Sequence, residues 1–248
     1  MTCISPWNDS IIDPGHGKGA GTAITARHIV LSAHYPFPLG TKVRFVTADN
    51  VVVESVVRGL AFHPDYTRQA LYPDLVVYTL ETPLPPSITP CKMLPANYAD
   101  YLSYLGPGRP PVLALDQEEK ALVFELKELG QPPTLRQLAK FALPELHLPR
   151  RDFTEILIDG DSGNPAFLII KPPDTGLDTL VLLTTMSNGY AMEYGTFVTA
   201  QISKLNEMIV AADADATAND PLHPINTGLQ VQTIDLGVSG FNTFTPPP

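Results

Sequence analysis

The sequence predicts an all-β fold of short antiparallel strands in two lobes, followed by a C-terminal helix. Short segments rich in β-branched and apolar residues recur along the 248 residues, divided by Pro, Gly, Asp and Asn. Proline, at 26 residues, is about twice its usual frequency, so long helices do not dominate. Clear helical periodicity is confined to a stretch near the end of the chain.

Taken in order, the first half reads as a run of antiparallel strands: GTAITARHIVLSA from Gly21, TKVRFVTAD from Thr41 and NVVVESVVRG from Asn50. LVVYTL, residues 75–80, is a further strand that stops at the proline-rich TPLPPSITP, where missing amide donors end any ladder. These prolines mark the crossing between the lobes. The second half repeats the pattern with LGPGRPPVLALD, EKALVFELKEL, TEILIDGD, NPAFLIIK and DTLVLLTTMSNG, a spacing of short strands that suits barrels or sandwiches.

The segment TLRQLAKFALPELHLPRRD, residues 134–152, interrupts this pattern and reads as an inserted loop with a short helix before Pro144. Between Thr199 and Val210, apolar residues at 202, 205, 208 and 209 share one helical face, and Thr199 is an N-cap candidate. Beyond Ala212 the chain is rich in turn formers, with one strand-like piece, LQVQTIDL, that suits either a linker or a strand laid on the body.

Composition excludes several functions. A net charge of −10, with no basic run longer than Arg150-Arg151, lacks the electrostatic footprint of a nucleic-acid binder. No stretch of 18 or more apolar residues is present to cross a membrane as a helix. Two cysteines, Cys3 and Cys91, are too few for a disulfide framework or a zinc cage. His16, His28, His147 and His223 have no ligand spacing, so neither a metal nor another cofactor is expected. The start MTCISPWNDS lacks a basic segment followed by an apolar one, so no signal peptide is read there.

Three short motifs carry chemistry. GDSGNP, residues 160–165, is built from turn formers and alone proves nothing. A nucleophilic serine, however, needs a histidine to take its proton and a carboxylate to orient that histidine. LSAHY, residues 31–35, sets His34 at the end of an apolar strand, and in HPDYTRQALYPDLVVYTL, residues 63–80, Asp74 precedes a buried strand. A buried carboxylate seeks a strong donor, and an imidazole N–H is one.

With these residues in view, the chain resembles the chymotrypsin-like serine proteases, whose fold is trypsin-like. LSAHY resembles the family's T-A-A-H-C, HPDY with PDLVVYTL resembles its H-P-x-Y and D-I-A-L-L-x-L, and GDSGNP resembles G-D-S-G-G-P. The three occur in the family's order, 40 and 88 residues apart. Thr185-Met186-Ser187-Asn188-Gly189 resembles the S-W-G segment, and Pro90-Cys91-Lys92-Met93-Leu94-Pro95 resembles the interlobe stretch ending in C-L-P. The similarity spans roughly residues 19 to 210.

The resemblance implies two six-stranded antiparallel β-barrels, at about residues 19–95 and 100–198, with a helix over 199–210. Together they would form a peptidase domain over 1–212, leaving 213–248 as a tail. It implies a serine endopeptidase, monomeric, acting on a peptide or protein substrate, with neither nucleic acid nor membrane as partner. Ser162 would attack the carbonyl, His34 would accept its proton, and Asp74 would fix the imidazole tautomer. The N–H groups of Gly160 and Ser162 would face the oxyanion, where losing one donor costs ~3 kcal/mol of barrier. Ile156 would floor the specificity pocket, favouring a medium apolar residue over Arg or Lys, unless Glu193 reaches the pocket instead. Ser187, Asn188 and Gly189 would bind substrate, with the serine supporting Asp74. Cys3 and Cys91 are a candidate bridge, though sequence alone does not give connectivity.

Departures from the family pattern are specific. Asn164 replaces a glycine, tolerable because Asn accepts αL geometry. No I-V-G-G activation sequence precedes the body, so Asp161, which pairs with a freed N-terminus in zymogen-activated members, needs another partner, such as a basic side chain. Tyr35 replaces the cysteine after the histidine, as in disulfide-poor bacterial-type members. The resemblance favours a secreted or periplasmic setting, and a cytoplasmic one stays open. The alternative to an active protease is a catalytically silent protein of the same fold that binds a peptide or protein partner in the same cleft. An α/β-hydrolase is disfavoured, since Asn164 breaks G-x-S-x-G and the triad order differs.

Overall fold

The computed structural model describes residues 2–5, 7–8, 20–68, 72–95, 109–116, 120–130, 138–158, 160–170, 179–188 and 193–234. In the first half, strands β1 (Ile4–Ser5), β2 (Trp7–Asn8), β3 (Gly21–Ala23), β4 (His28–Leu31), β5 (Lys42–Val46), β6 (Val52–Phe62) and β7 (Val76–Leu80) pair antiparallel in the order β1-β3-β4-β7-β6-β5-β2. β1 and β2 stand at opposite ends of this order yet are one residue apart in the chain. They act as a single interrupted strand, which nearly closes six strands into a barrel. Pro6, between them in the sequence, lies outside the described residues.

Local chemistry explains the elements. Asn50 takes φ +60° in the β5–β6 hairpin, where its N–H reaches Thr47 O at 3.0 Å, a conformation Asn tolerates better than most residues. β5 alternates half-buried and buried positions, whereas all five residues of β7 are buried. β7 is covered on both faces because the C-terminal helix α1 (Ile202–Asn219) lies across β6 and β7. The approach is closest at Gly59, where a Cβ would collide with Ala212 O and with Ala216 N and Cα.

The second barrel is closed. Strands β8 (Pro111–Leu115), β9 (Ala121–Leu129), β10 (Leu138–Ala142), β11 (Pro165–Ile170), β12 (Thr179–Asn188) and β13 (Glu193–Phe197) follow one another as β10-β13-β12-β11-β8-β9. Its interior packs Phe124 against Phe141, with ring centroids 5.3 Å apart, beside Val112, Leu126, Phe197 and Leu183.

Several expectations need correction. The described part of the region 134–152, from Leu138 on, is not an inserted loop with a helix before Pro144: it supplies β10, whose Leu138, Ala139, Phe141 and Ala142 are buried and which pairs with both β9 and β13, and its helical segment is a 3₁₀ turn after that proline, Leu148–Phe153. The described residues of TEILIDGD, by contrast, form no strand, and its Ile156 and Ile158 point outward, 64% and 60% exposed. The helix does not end at 210 but runs to Asn219, so its last turns, carrying Ala212 and Ala216, form the contact with Gly59. Thr199 lies in a 3₁₀ turn, Val198–Gln201, ahead of the helix, and Gln201 occupies the N-cap position without a side-chain capping bond.

The described segment after the helix, residues 220–234, is laid on the body. Met93 N–H donates to Gln232 O and Ile234 N–H to Met93 O, both at 2.9 Å, and Ile225 and Ile234 are buried. Cys3 and Cys91 are disulfide-bonded with Cα atoms 5.9 Å apart. Ala23 bridges the same pair through its backbone, donating to Cys3 O and accepting from Cys91 N–H. Among the described residues, no helix is long and apolar enough to cross a membrane.

Candidate active site

β4 and β7 pair antiparallel, with Leu31 opposite Val76. Three residues past Leu31 stands His34, and two before Val76 stands Asp74, so register alone brings both to one end of the strand pair. The contact is double: Asp74 Oδ2 lies 2.6 Å from His34 Nδ1, and Asp74 Oδ1 accepts the His34 backbone N–H at 2.8 Å. The Asp74 side chain is fully buried, while that of His34 is 25% exposed. A carboxylate only accepts, so Nδ1 carries the ring proton and Nε2 is left as the acceptor.

Asp74 is itself held from the second barrel. Its backbone N–H donates to Thr196 Oγ1 at 2.9 Å, 122 residues away on β13. Thr184 Oγ1 donates in turn to Thr196 O at 2.8 Å. Thr185 is the register partner of Thr196, so the two side chains share a face. The Thr185 hydroxyl is buried there without a bonding partner among the described residues.

The serine lies in a tight turn between the segment 154–158, whose Ile156 and Ile158 are exposed, and β11. Gly160 and Gly163 have φ +107° and +88°, the region that favours glycine. Asn164 N–H donates to Asp161 O, Gly163 N–H to Met186 O and Met186 N–H to Asn164 O, which pins the turn to β12. Gly163 faces the end of β4: a Cβ there would stand 3.1 Å from Ser32 Oγ, two residues before His34. Ser162 is half-buried beside this contact. Among the described residues, no hydrogen bond joins Ser162 to His34, and the N–H groups of Gly160 and Ser162 have no acceptor.

Other expected residues fall as follows. Asp161 is buried, and its Oδ2 accepts the Ile158 N–H at 2.7 Å, so a backbone amide is among its partners. Ile156 is on the surface of the segment leading into the serine turn, with Phe153 and Ile158 also exposed. The Ser187 hydroxyl is buried and bonds to nothing among the described residues, so it gives Asp74 no hydrogen bond. Asn188 ends β12 opposite Tyr194, while its side chain, that of Glu193 and all of Gly189 lie outside the described residues.

Two further histidines are buried in structural roles. His63 Nδ1 accepts the Asp65 N–H and its Nε2 faces Gln201 Oε1, both at 3.1 Å. His28 is bonded to Thr25 Oγ1 at 2.7 Å and to Asp213 Oδ1 at 2.9 Å. Burial pushes the pKa of both imidazoles below the usual histidine value. Sequence reasoning missed Thr196, since a threonine in a strand carries no signal of a partner on another barrel.

The two barrels fit a trypsin-like fold. Comparison of the sequence with known protein families finds no match, and comparison with curated proteins finds none either.

Proposed function

We propose that the chain is a serine endopeptidase in which Ser162 is the nucleophile, His34 the general base and Asp74 the group that orients and steadies the imidazole. The observation that carries this reading is the double contact between the buried Asp74 carboxylate and His34. A histidine held only for packing needs no such clasp and does not leave its second nitrogen at a partly exposed strand end. The Gly163–Ser32 contact supports the reading, because it seats the serine turn against the chain that runs from β4 to His34.

In the proposed reaction, Ser162 Oγ forms a bond to the substrate carbonyl carbon while its proton passes to His34 Nε2. The resulting oxyanion faces the N–H groups of Gly160 and Ser162, whose donors are unused among the described residues. Collapse expels the amine, which takes the proton from His34 and leaves an acyl-Ser162 ester. Water, deprotonated by His34, then hydrolyses the ester and restores the hydroxyl. Asp74 stays ionised throughout and stabilises the imidazolium in each half-reaction.

The absence of a Ser162–His34 hydrogen bond favours a second reading, a catalytically silent cleft that binds a peptide, although such bonds are often long before substrate arrives. Digestion of a peptide library separates the two. An active protease yields defined cleavage sites that vanish in both Ser162→Ala and His34→Ala; a silent cleft yields peptide binding with no cleavage.

A further inference from the structure

Asn164 stands where the resembled family has glycine, and αL tolerance does not explain it: the left-handed φ belongs to Gly163, and Asn164 is not among the positive-φ residues. Its side chain does something else. Asn164 is 1% exposed, and its Oδ1 accepts the Ala20 N–H at 3.1 Å, joining the serine turn to the residue that opens β3, 144 positions earlier. The same residue's backbone donates to Asp161 O and accepts from Met186 N–H. Asn164 therefore links three bodies: the nucleophile turn, the second barrel through β12, and the first barrel through Ala20.

We propose that Asn164 is a positioning residue that clamps the Ser162 turn onto the first barrel and so fixes the serine relative to His34. This rests on Ser162 being the nucleophile. The triad spans two barrels: His34 and Asp74 come from one, Ser162 from the other. Any slip between the barrels at the turn changes the serine–histidine approach directly. Gly163 also packs on Ser32, where a Cβ would stand 3.1 Å from the hydroxyl oxygen. The clamp and this close contact lie within two residues of the nucleophile, and both join the turn to the first barrel. The Ile158 N–H is among the partners of Asp161 within the same turn. The Asn164 amide nitrogen is buried and donates to nothing among the described residues. What the position uses is the acceptor oxygen.

The test combines two readouts on Asn164→Ala: hydrogen exchange of the Ala20 amide by NMR, and inactivation by a fluorophosphonate resolved into KI and kinact. The proposal expects the Ala20 amide to exchange at least tenfold faster and kinact to fall at least tenfold, with KI changed less than twofold. Faster Ala20 exchange with kinact within threefold of the parent overturns the positioning role. Unchanged Ala20 exchange overturns the clamp. If the parent does not react with the fluorophosphonate, the protease reading fails and the positioning role with it, while Ala20 exchange still reports the clamp separately. Should Asn164→Ala not fold, Asn164→Asp is read by exchange alone, because it keeps an acceptor oxygen for the Ala20 N–H but replaces the amide nitrogen by a second oxygen and brings a charge to a buried site. Ala20 protection within threefold of the parent is then expected, and its loss contradicts the proposal.

Discussion

Asp74 holds His34 at two atoms, the ring Nδ1 at 2.6 Å and the backbone N–H at 2.8 Å, from a fully buried position. One carboxylate thus sets both the tautomer of the imidazole and the path of the chain that carries it. Asp74→Asn keeps the volume but offers one acceptor and one donor where two acceptors are required. If the backbone bond survives, the ring is driven to the other tautomer, with Nε2 protonated and unable to take the serine proton. The rate of peptide cleavage is expected to fall about 10³- to 10⁴-fold. A loss smaller than tenfold in folded protein speaks against a general-base role for His34.

Thr196 provides a separate handle on the same carboxylate. Thr196→Val removes the hydroxyl that accepts the Asp74 N–H and leaves a buried donor unpaired. Orphaning such a group costs about 1–3 kcal/mol, to be read from urea unfolding. Because the bond crosses from one barrel to the other, cleavage should also slow. A variant with unchanged unfolding midpoint would show that the hydroxyl is dispensable.

The strands of the first barrel were legible from the sequence because apolar β-branched runs such as Ile29-Val30-Leu31 and Val76-Val77-Tyr78 alternate with turn residues. The second barrel was read less well. Leu138-Ala139-Lys140-Phe141-Ala142 has a strand's burial pattern, yet the prolines on either side suggested a loop. TEILIDGD has a strand's composition, but no neighbouring strand covers Ile156 and Ile158. Which apolar segment gains a partner is decided by closure of the barrel, a long-range condition that local pattern does not carry. Likewise His34, Asp74 and Ser162 were visible through residue type and order. Thr196 and the role of Asn164 were not, since each acts through a single hydrogen bond to a residue more than a hundred positions away.

Gly59 tests the seating of the helix. A methyl group there meets the helix backbone itself, which cannot turn aside as a side chain would. Gly59→Ala should destabilise the fold by about 1–3 kcal/mol, the usual range for overpacking, measured by chemical denaturation. Stability equal to the parent would mean that the helix sits farther from β6 than described.

The disulfide closes a long loop, with Cys3 and Cys91 separated by 88 positions. Replacing both cysteines with serine should lower stability by about 2–5 kcal/mol, mainly through greater freedom of the unfolded chain. The comparison is between the oxidised parent and the double variant under identical urea titration. A change below about 1 kcal/mol would contradict a bridge of the usual strength.

His63 sets an acid limit. Its Nδ1 accepts the Asp65 N–H, an arrangement only the neutral ring can make, and burial lowers its pKa in the folded state. As pH falls below the unfolded histidine value of about 6.5, the unfolded chain takes up the proton first. Stability is therefore full above that value and declines as pH drops toward the lowered native pKa. The slope has a ceiling of about 1.4 kcal/mol per pH unit for each such histidine, and His28 adds in the same direction. Unfolding midpoints at pH 7.5 and 5.5 should differ in the parent and differ less in His63→Gln. Equal dependence in both proteins would remove His63 from the account.

The most direct measurement is covalent capture of the nucleophile. Folded protein is treated with a fluorophosphonate, digested and mapped by tandem mass spectrometry. The account predicts a single phosphonylated residue, Ser162, in the parent, and no adduct in Ser162→Ala, in His34→Ala or in unfolded protein. An unreactive folded parent, or an adduct that persists at Ser162 when His34 is replaced, would contradict it.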